Sequence, residues 1–267
     1  MDVRDVCIVV GESEQAMREG LGDGSDYGVN LTYVRQTQPQ GLAHAVSFAK
    51  EFVAGDDFVL YLGDALYSQG FQAFAERFRN ERPANLSMVK PVDDPTRFGV
   101  ANVEDGRIVK LVEKPKVPES NLAMAGLYFF GPELWSVLPD LQPSARGEYE
   151  ITDAIQMLID RGHTVLPGLY DGVWFDTGTL DSFLATTEFL LVGKTDVQGE
   201  VAGRIGANVA VGAGAIVECE AIEDSVILPG ARVKVAGTIR HAVIGGEVTR
   251  SADLIGERVW SDEVLLG

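Results

Sequence analysis

"IGANVAVGAGAIVECEAIEDSVILPGARVKVAGTIRHAVIGGEV", residues 205–248, is rich in Gly, Ala and Val. Ile205, Val211 and Val217 stand six apart, and Ile227, Val233 and Ile239 resume the same step after one slip. Six residues is the period of a parallel β-helix, where each side of a triangular coil takes one hexapeptide. The apolar residue of each hexapeptide points inward and small residues make the corners. A small antiparallel β domain is the alternative for the same stretch.

Toward the N-terminus the pattern changes. Up to about residue 193, short β-branched runs alternate with helical periodicity. "VCIVVG" reads as a buried strand, "EQAMREGL" as a short helix and "NLTYVRQ" as an alternating strand. In "GLAHAVSFAKEFV", Leu42, Val46, Ala49 and Val53 share one helical face. "DFVLYLGD" predicts another buried strand and "FQAFAERFRN" a helix. "GVANVEDGRIVKLVEKP" predicts a hairpin turning at Asp105-Gly106. "AGLYFFG" predicts a strand, "EYEITDAIQMLIDRG" a helix with a glycine cap, and "GTLDSFLATTEFLLVG" a last helix. Alternation of this kind specifies an α/β sheet with antiparallel additions. The boundaries expected are 1–193 for the α/β domain and 194–267 for the β-helix.

The 267 residues include 40 acidic and 22 basic side chains, a formal net charge of −18, which argues against a nucleic-acid-binding surface. Arg outnumbers Lys, and so acidic a composition suits a protein kept soluble in concentrated salt, so a halophilic source is expected. No apolar run reaches membrane-spanning length. The first residues lack a signal peptide's basic region and cleavage site, and two cysteines, Cys7 and Cys219, suggest no disulfide framework. A cytoplasmic protein is expected.

Two apolar runs end on a carboxylate. "VLYLGD" delivers Asp64 and "VWFDTG" delivers Asp176. Ligands of open α/β sheets bind beyond the carboxyl ends of strands, and two carboxylates there can share a hard cation such as Mg²⁺. Singly, each is as well read as a cap or turn residue. In "LVEKP", Glu113 offers a carboxylate for sugar hydroxyls and Lys114 an ammonium for phosphate, or both form a solvated pair beside a turn proline. In "RQTQPQGLAHAV", Gln36 has an amide able to read a nucleobase edge and Gly41 allows close backbone approach, although helix-entry chemistry explains both as well.

Taken in order, "LGDGSDYGVNLTYVRQ", "PQGLAHAV", "YLGD", "FGVA", "LVEKP", "PSARGEYEITDAI" and "FDTG" resemble the sugar-nucleotide pyrophosphorylases, and among them the long-form glucose-1-phosphate thymidylyltransferases, across nearly the whole chain. The resemblance implies a Rossmann-like nucleotidyltransferase domain followed by a left-handed parallel β-helix. It implies transfer of a nucleotidyl group from dTTP, or UTP, to glucose 1-phosphate with Mg²⁺ and release of pyrophosphate. Gln36, Gly41, Leu62 and Gly63 fall on nucleotide contacts, and Gly99, Glu113 and Gly126 on sugar contacts. Lys114 falls on the sugar-phosphate contact, and Asp64 and Asp176 on the metal ligands. A homo-oligomer is also expected.

One departure accompanies the resemblance. The family domain opens with a strand and a G-x-G-T-R loop that binds the triphosphate, whereas "MDVRDVCIVV" matches the family's second strand. A longer gene product is the expectation, and a non-catalytic binding or regulatory homologue the alternative. An acyltransferase acting on the β-helix is a third reading; it has only His241 to offer, more readily a surface or packing residue.

Overall fold

The computed structural model describes residues 3–260. Two compact units emerge. One comprises residues up to 63 together with 69–172; the other comprises 64–68 together with 173 onward.

The first unit begins with β1 (Asp5–Val10), α1 (Glu14–Leu21) and β2 (Asn30–Arg35). It continues through α2 (Leu42–Phe48), α3 (Lys50–Val53) and β3 (Phe58–Tyr61). β4 (Ala65–Tyr67) belongs to the second unit. The first resumes with α4 (Gln72–Glu81), β5 (Asn85–Pro91), β6 (Gly99–Glu104), β7 (Arg107–Glu113) and β8 (Leu122–Phe130). α5 (Leu134–Val137), α6 (Ile151–Asp160) and β9 (Val165–Leu169) complete it.

Six strands form a mixed sheet in the order β7-β6-β8-β5-β9, with β3 also on β8. β8 is its axis. One edge pairs along its length with β5; the other is divided between β3, from Leu127 to Phe130, and β6, at Ala123. Between those partners lies a bulge. Ser87 faces Tyr128 but Val89 faces Met124, so β8 carries extra residues there. Gly126 absorbs them at φ 81°, a left-handed conformation that glycine adopts without a Cβ penalty. β1 and β2 pair in parallel as a separate two-stranded sheet. "VCIVVG" is accordingly half-buried rather than buried: only Val10 is fully enclosed, because among the described residues β1 has no second strand neighbour.

Local signals account for several boundaries. Asp105 and Gly106 both take positive φ, 46° and 76°, as a two-residue I′ hairpin turn requires. α6 ends in a Schellman motif: Gly162 at φ 84° follows the last turn, His163 N–H donates to the Leu158 carbonyl and Gly162 N–H to that of Ile159. The helix predicted over "GLAHAVSFAKEFV" is interrupted at Ala49, which separates α2 from α3.

The second unit contains β10 (Trp174–Asp176), antiparallel to β4, and α7 (Leu180–Leu191). α7 starts from a capping box, Thr179 with Ser182. The remaining strands, β11 to β19 between Asp196 and Trp260, are all in parallel register and form a solenoid of about four turns, consistent with the left-handed β-helix expected. Successive coils align Glu200 with Ile216, Ile216 with Arg232 and Arg232 with Glu247, steps of 16, 16 and 15 residues. The coils are thus shorter than three full hexapeptides, which is why the six-residue phase slips. Val211, Val217, Ile227, Val233 and Ile239 fill the interior as expected. Ile205 does not; it is 42% exposed on the first coil, where no preceding turn closes over it. The β-helix was expected to run to 267; residues 261–267 lie outside the described ones.

Candidate functional site

In the second unit, antiparallel pairing of β4 with β10 sets Asp176 opposite Ala65. Thr177 reinforces the junction: its N–H and its hydroxyl both donate to the main-chain carbonyl of Asp64, at 3.0 and 2.7 Å. Asp64, just ahead of β4, and Asp176, at the end of β10, therefore come together in the main chain one residue out of register. Asp64 is exposed and Asp176 half-buried. Their donors are all oxygen, suiting a hard divalent cation completed by water and phosphate oxygens. Among the described residues no three His, Cys, Asp or Glu side chains gather as a metal cluster.

In the first unit, β6 and β7 place Gly99 opposite Glu113. The Glu113 carboxylate accepts from the Thr152 hydroxyl at 3.0 Å and lies 3.6 Å from Arg146 and 3.9 Å from Lys114. Burial pushes its pKa up; the Thr152 hydrogen bond opposes that, the Glu150 charge adds to it, and the two cations pull it back. Glu150, 5% exposed, accepts from the Ser144 hydroxyl and from Arg146. Tyr128 is held firmly protonated by full burial and by the neighbouring Glu113 charge. Lys114 takes φ 41°, uncommon for a side chain with a Cβ, and its N–H donates to the Phe98 carbonyl. A pinned backbone and a partly exposed ammonium suit it to receive an anion.

Gln36 follows β2, its N–H donating to the Val10 carbonyl and its side-chain Nε2 lying 2.9 Å from His44 Nδ1. Gly41, at φ 103°, runs against Tyr149: an added Cβ would stand 2.6 Å from the Tyr149 carbonyl oxygen. Gly41 is thus required by the crossing with Tyr149, whose N–H donates to Gln40 and whose carbonyl accepts from Ala43. The segment from Glu148 to Thr152 therefore serves both groups, with Tyr149 on the Gln36 side and Glu150 and Thr152 on the Glu113 side. Leu62 donates its N–H to Gly126 in the β8 bulge, and a Cβ on Gly126 would meet the Leu62 side chain. A Cβ on Gly63 would meet nothing, leaving its backbone open to a ligand.

Of the residues expected from sequence, the fold gathers Gly99, Glu113 and Lys114, joins Leu62 to Gly126, brings Gln36 near Gly41 through His44 and Tyr149, and sets Asp64 beside Asp176. Sequence reasoning assigned no role to Arg146, Glu150, Thr152 or His44. Arg146 and Glu150 lie ahead of α6, so no helical spacing announces their contact.

A family profile described as "Nucleotidyl transferase" matches residues 1–192. A glucose-1-phosphate thymidylyltransferase of Streptomyces antibioticus is 37% identical over 256 residues, covering 95% of this chain and 68% of the relative. A low-salt glycan biosynthesis nucleotidyltransferase of Haloferax volcanii is 40% identical over 195 residues; the match spans 72% of this chain and 55% of that protein. Among solved structures, a Bacillus anthracis protein assigned as a glucose-1-phosphate thymidylyltransferase superposes with TM-score 0.64 at 36% identity, covering 69% of this chain and 75% of that one. A UDP-glucose pyrophosphorylase shares the fold at TM-score 0.64 and 21% identity, over 71% of this chain and 81% of that one.

Proposed function

Since the chain belongs to the nucleotidyl transferase family, we propose that it transfers the thymidylyl group of dTTP to glucose 1-phosphate, forming dTDP-glucose and releasing pyrophosphate. The observation that supports it most is the β4–β10 pairing, which brings together the main chains of Asp64 and Asp176, two oxygen-donor residues from distant stretches of sequence. Named relatives with the same pairing of substrates support the choice of base and sugar.

A phosphate oxygen of the sugar attacks the α-phosphorus in line while the bond to the β-phosphate oxygen breaks. Positioning and charge neutralisation carry most of such a reaction. Asp64 and Asp176 would hold Mg²⁺, and the cation would supply neutralisation of negative charge on the triphosphate. Lys114 binds the phosphate of glucose 1-phosphate, and Glu113, fixed by Thr152, accepts from the sugar hydroxyls. Gly99 and Gly126 line the sugar. Gln36 reads the base beside Gly41, and the open backbone at Leu62 and Gly63 receives the nucleoside. The catalytic domain is assigned to residues 1–193 and the β-helix to 194–267. UTP, which lacks the base methyl group and carries a 2′-hydroxyl, is the second nucleotide to test, because the methyl group alone discriminates by only about 1–3 kcal/mol. Among the described residues no helix is long and apolar enough to cross a membrane; we assign the activity to the cytoplasm, where nucleoside triphosphates are held, and to a salt-rich one.

The test is pyrophosphate release from dTTP, glucose 1-phosphate and Mg²⁺ in molar KCl. Asp64→Ala and Asp176→Ala are expected to lower turnover by on the order of 10²–10³ each. Undiminished turnover in both would overturn the assignment. Binding of both substrates without turnover in the unsubstituted chain would favour a non-catalytic homologue instead.

A further inference from the structure

We infer that His44 is a positioning residue for Gln36, and that through it the protein selects a base presenting an N–H beside a carbonyl; this rests on the base-contact role of Gln36 proposed above. The Gln36 amide offers one carbonyl oxygen and two N–H donors. In solution it turns over freely and meets a donor–acceptor edge of either polarity. Here its nitrogen lies 2.9 Å from His44 Nδ1. With the imidazole proton on Nε2, Nδ1 accepts and takes one of the two Gln36 N–H groups. The carbonyl oxygen and the second N–H remain, side by side, as an acceptor–donor fork.

That fork complements the N3–H and adjacent carbonyl of thymine or uracil. Cytosine presents the reverse, an unprotonated N3 beside an amino group. To meet it the amide would have to turn over, setting its carbonyl oxygen against the Nδ1 lone pair, acceptor to acceptor. The imidazole is itself fixed. Phe48 meets it edge-on at 5.0 Å between ring centroids, and Tyr149 stacks on it at 6.1 Å with 29° between planes. The Tyr149 main chain is bonded in turn to Gln40 and Ala43. Nothing in the local sequence marks the pair: Gln36 and His44 are eight positions apart, and the chain bends through Gly41 to bring them together.

The experiment is calorimetric titration of the full 267-residue chain with dTTP and with dCTP, Mg²⁺ present, for the unsubstituted protein and for Gln36→Ala, His44→Ala and His44→Asn. Asparagine can place a carbonyl oxygen near the position of Nδ1. His44→Ala is expected to weaken dTTP binding by roughly 5- to 10-fold, the size of one positioned hydrogen bond, and to narrow the dTTP-to-dCTP ratio by about the same factor. His44→Asn is expected to restore the ratio. An unchanged ratio in His44→Ala, with Gln36→Ala collapsing it, would overturn the positioning role and leave the base contact standing. Equal weakening of both nucleotides would also overturn it, as a merely structural effect. Absent dTTP binding, or binding indifferent to Gln36→Ala, would remove the base contact and the inference together.

Discussion

At the scale of single residues, two positions in the sugar-side group hold a conformation or a space that other side chains resist. Lys114 carries a left-handed backbone that costs a Cβ-bearing residue about 1–2 kcal/mol. Lys114→Gly is expected to raise the unfolding free energy by about 1 kcal/mol while weakening glucose 1-phosphate binding; chemical denaturation and titration with the sugar phosphate read the two effects separately. Gly99 is the second. A Cβ there would lie 2.5 Å from Thr152 Cγ2, 3.1 Å from Met124 Cγ and 3.2 Å from Glu113 Oε2. Gly99→Ala is expected to destabilise by about 1–3 kcal/mol, as overpacking does. Adding Thr152→Ser, which removes that methyl group and keeps the hydroxyl on Glu113, should recover most of it in the same denaturation assay. "FGVA" and "LVEKP" gave both positions as site candidates, but the contact that makes glycine obligatory comes from Thr152, on a helix that follows fifty residues later in the chain.

At the scale of elements, the solenoid corner and α7 form one device. Asn208, Asp224, His241 and Gly256 all take positive φ, from 43° to 71°, and succeed one another from coil to coil as one corner. Short polar residues and glycine tolerate that conformation best. His241 thus holds a corner position and is bridged: Nδ1 lies 2.6 Å from Asp224 and Nε2 2.8 Å from Asp181 on the first turn of α7. Below the corner, Leu184 of α7 packs on Val226 and Val243. The hydrogen bonds to Asp181 and Asp224 raise the His241 pKa. The other charged groups on these elements include Glu188 on α7, the paired Glu223 and Arg240 on the solenoid face, Glu218 and Glu220 on the strand that carries Asp224, and Glu257 on the next coil. A raised histidine pKa contributes stability that is complete below the unfolded value and is lost as pH rises through the folded one. Amide exchange of α7, corrected for intrinsic rate, is therefore expected to quicken as pH climbs through that window. In His241→Gln the step should vanish; its persistence there would exclude the bridge as its cause.

At the scale of the whole molecule, a net charge of −18 dominates. Self-repulsion of that size destabilises a compact state, and screening relieves it as the Debye length falls from about 10 Å at 0.1 M salt to about 3 Å at 1 M. The thermal midpoint is expected to rise between 0.1 and 1 M KCl; a midpoint indifferent to salt would remove the halophilic expectation. The hairpin at Asp105-Gly106, α1 and the glycine-capped end of α6 were legible in the sequence because their causes lie within a few residues. β5 was not. Its Asn85 and Ser87 are fully buried, which breaks the apolar pattern, and their side chains are satisfied by each other and by the Phe129 carbonyl across the sheet.

The sequence by itself determined the succession of an α/β regime and a parallel β-solenoid, the family, and the residue types available to bind a cation, a phosphate, a sugar and a base. Periodicity, turn chemistry and motif order are one-dimensional, and these properties follow from them. Only the tertiary structure decided that Thr177 staples Asp64 beside Asp176, that Thr152 and Arg146 bracket Glu113, that Gly41 yields to Tyr149, and that His44 engages Gln36. Each depends on chain segments meeting across a sheet or a crossing, where hydrogen-bond geometry and excluded volume select partners that spacing along the chain does not encode.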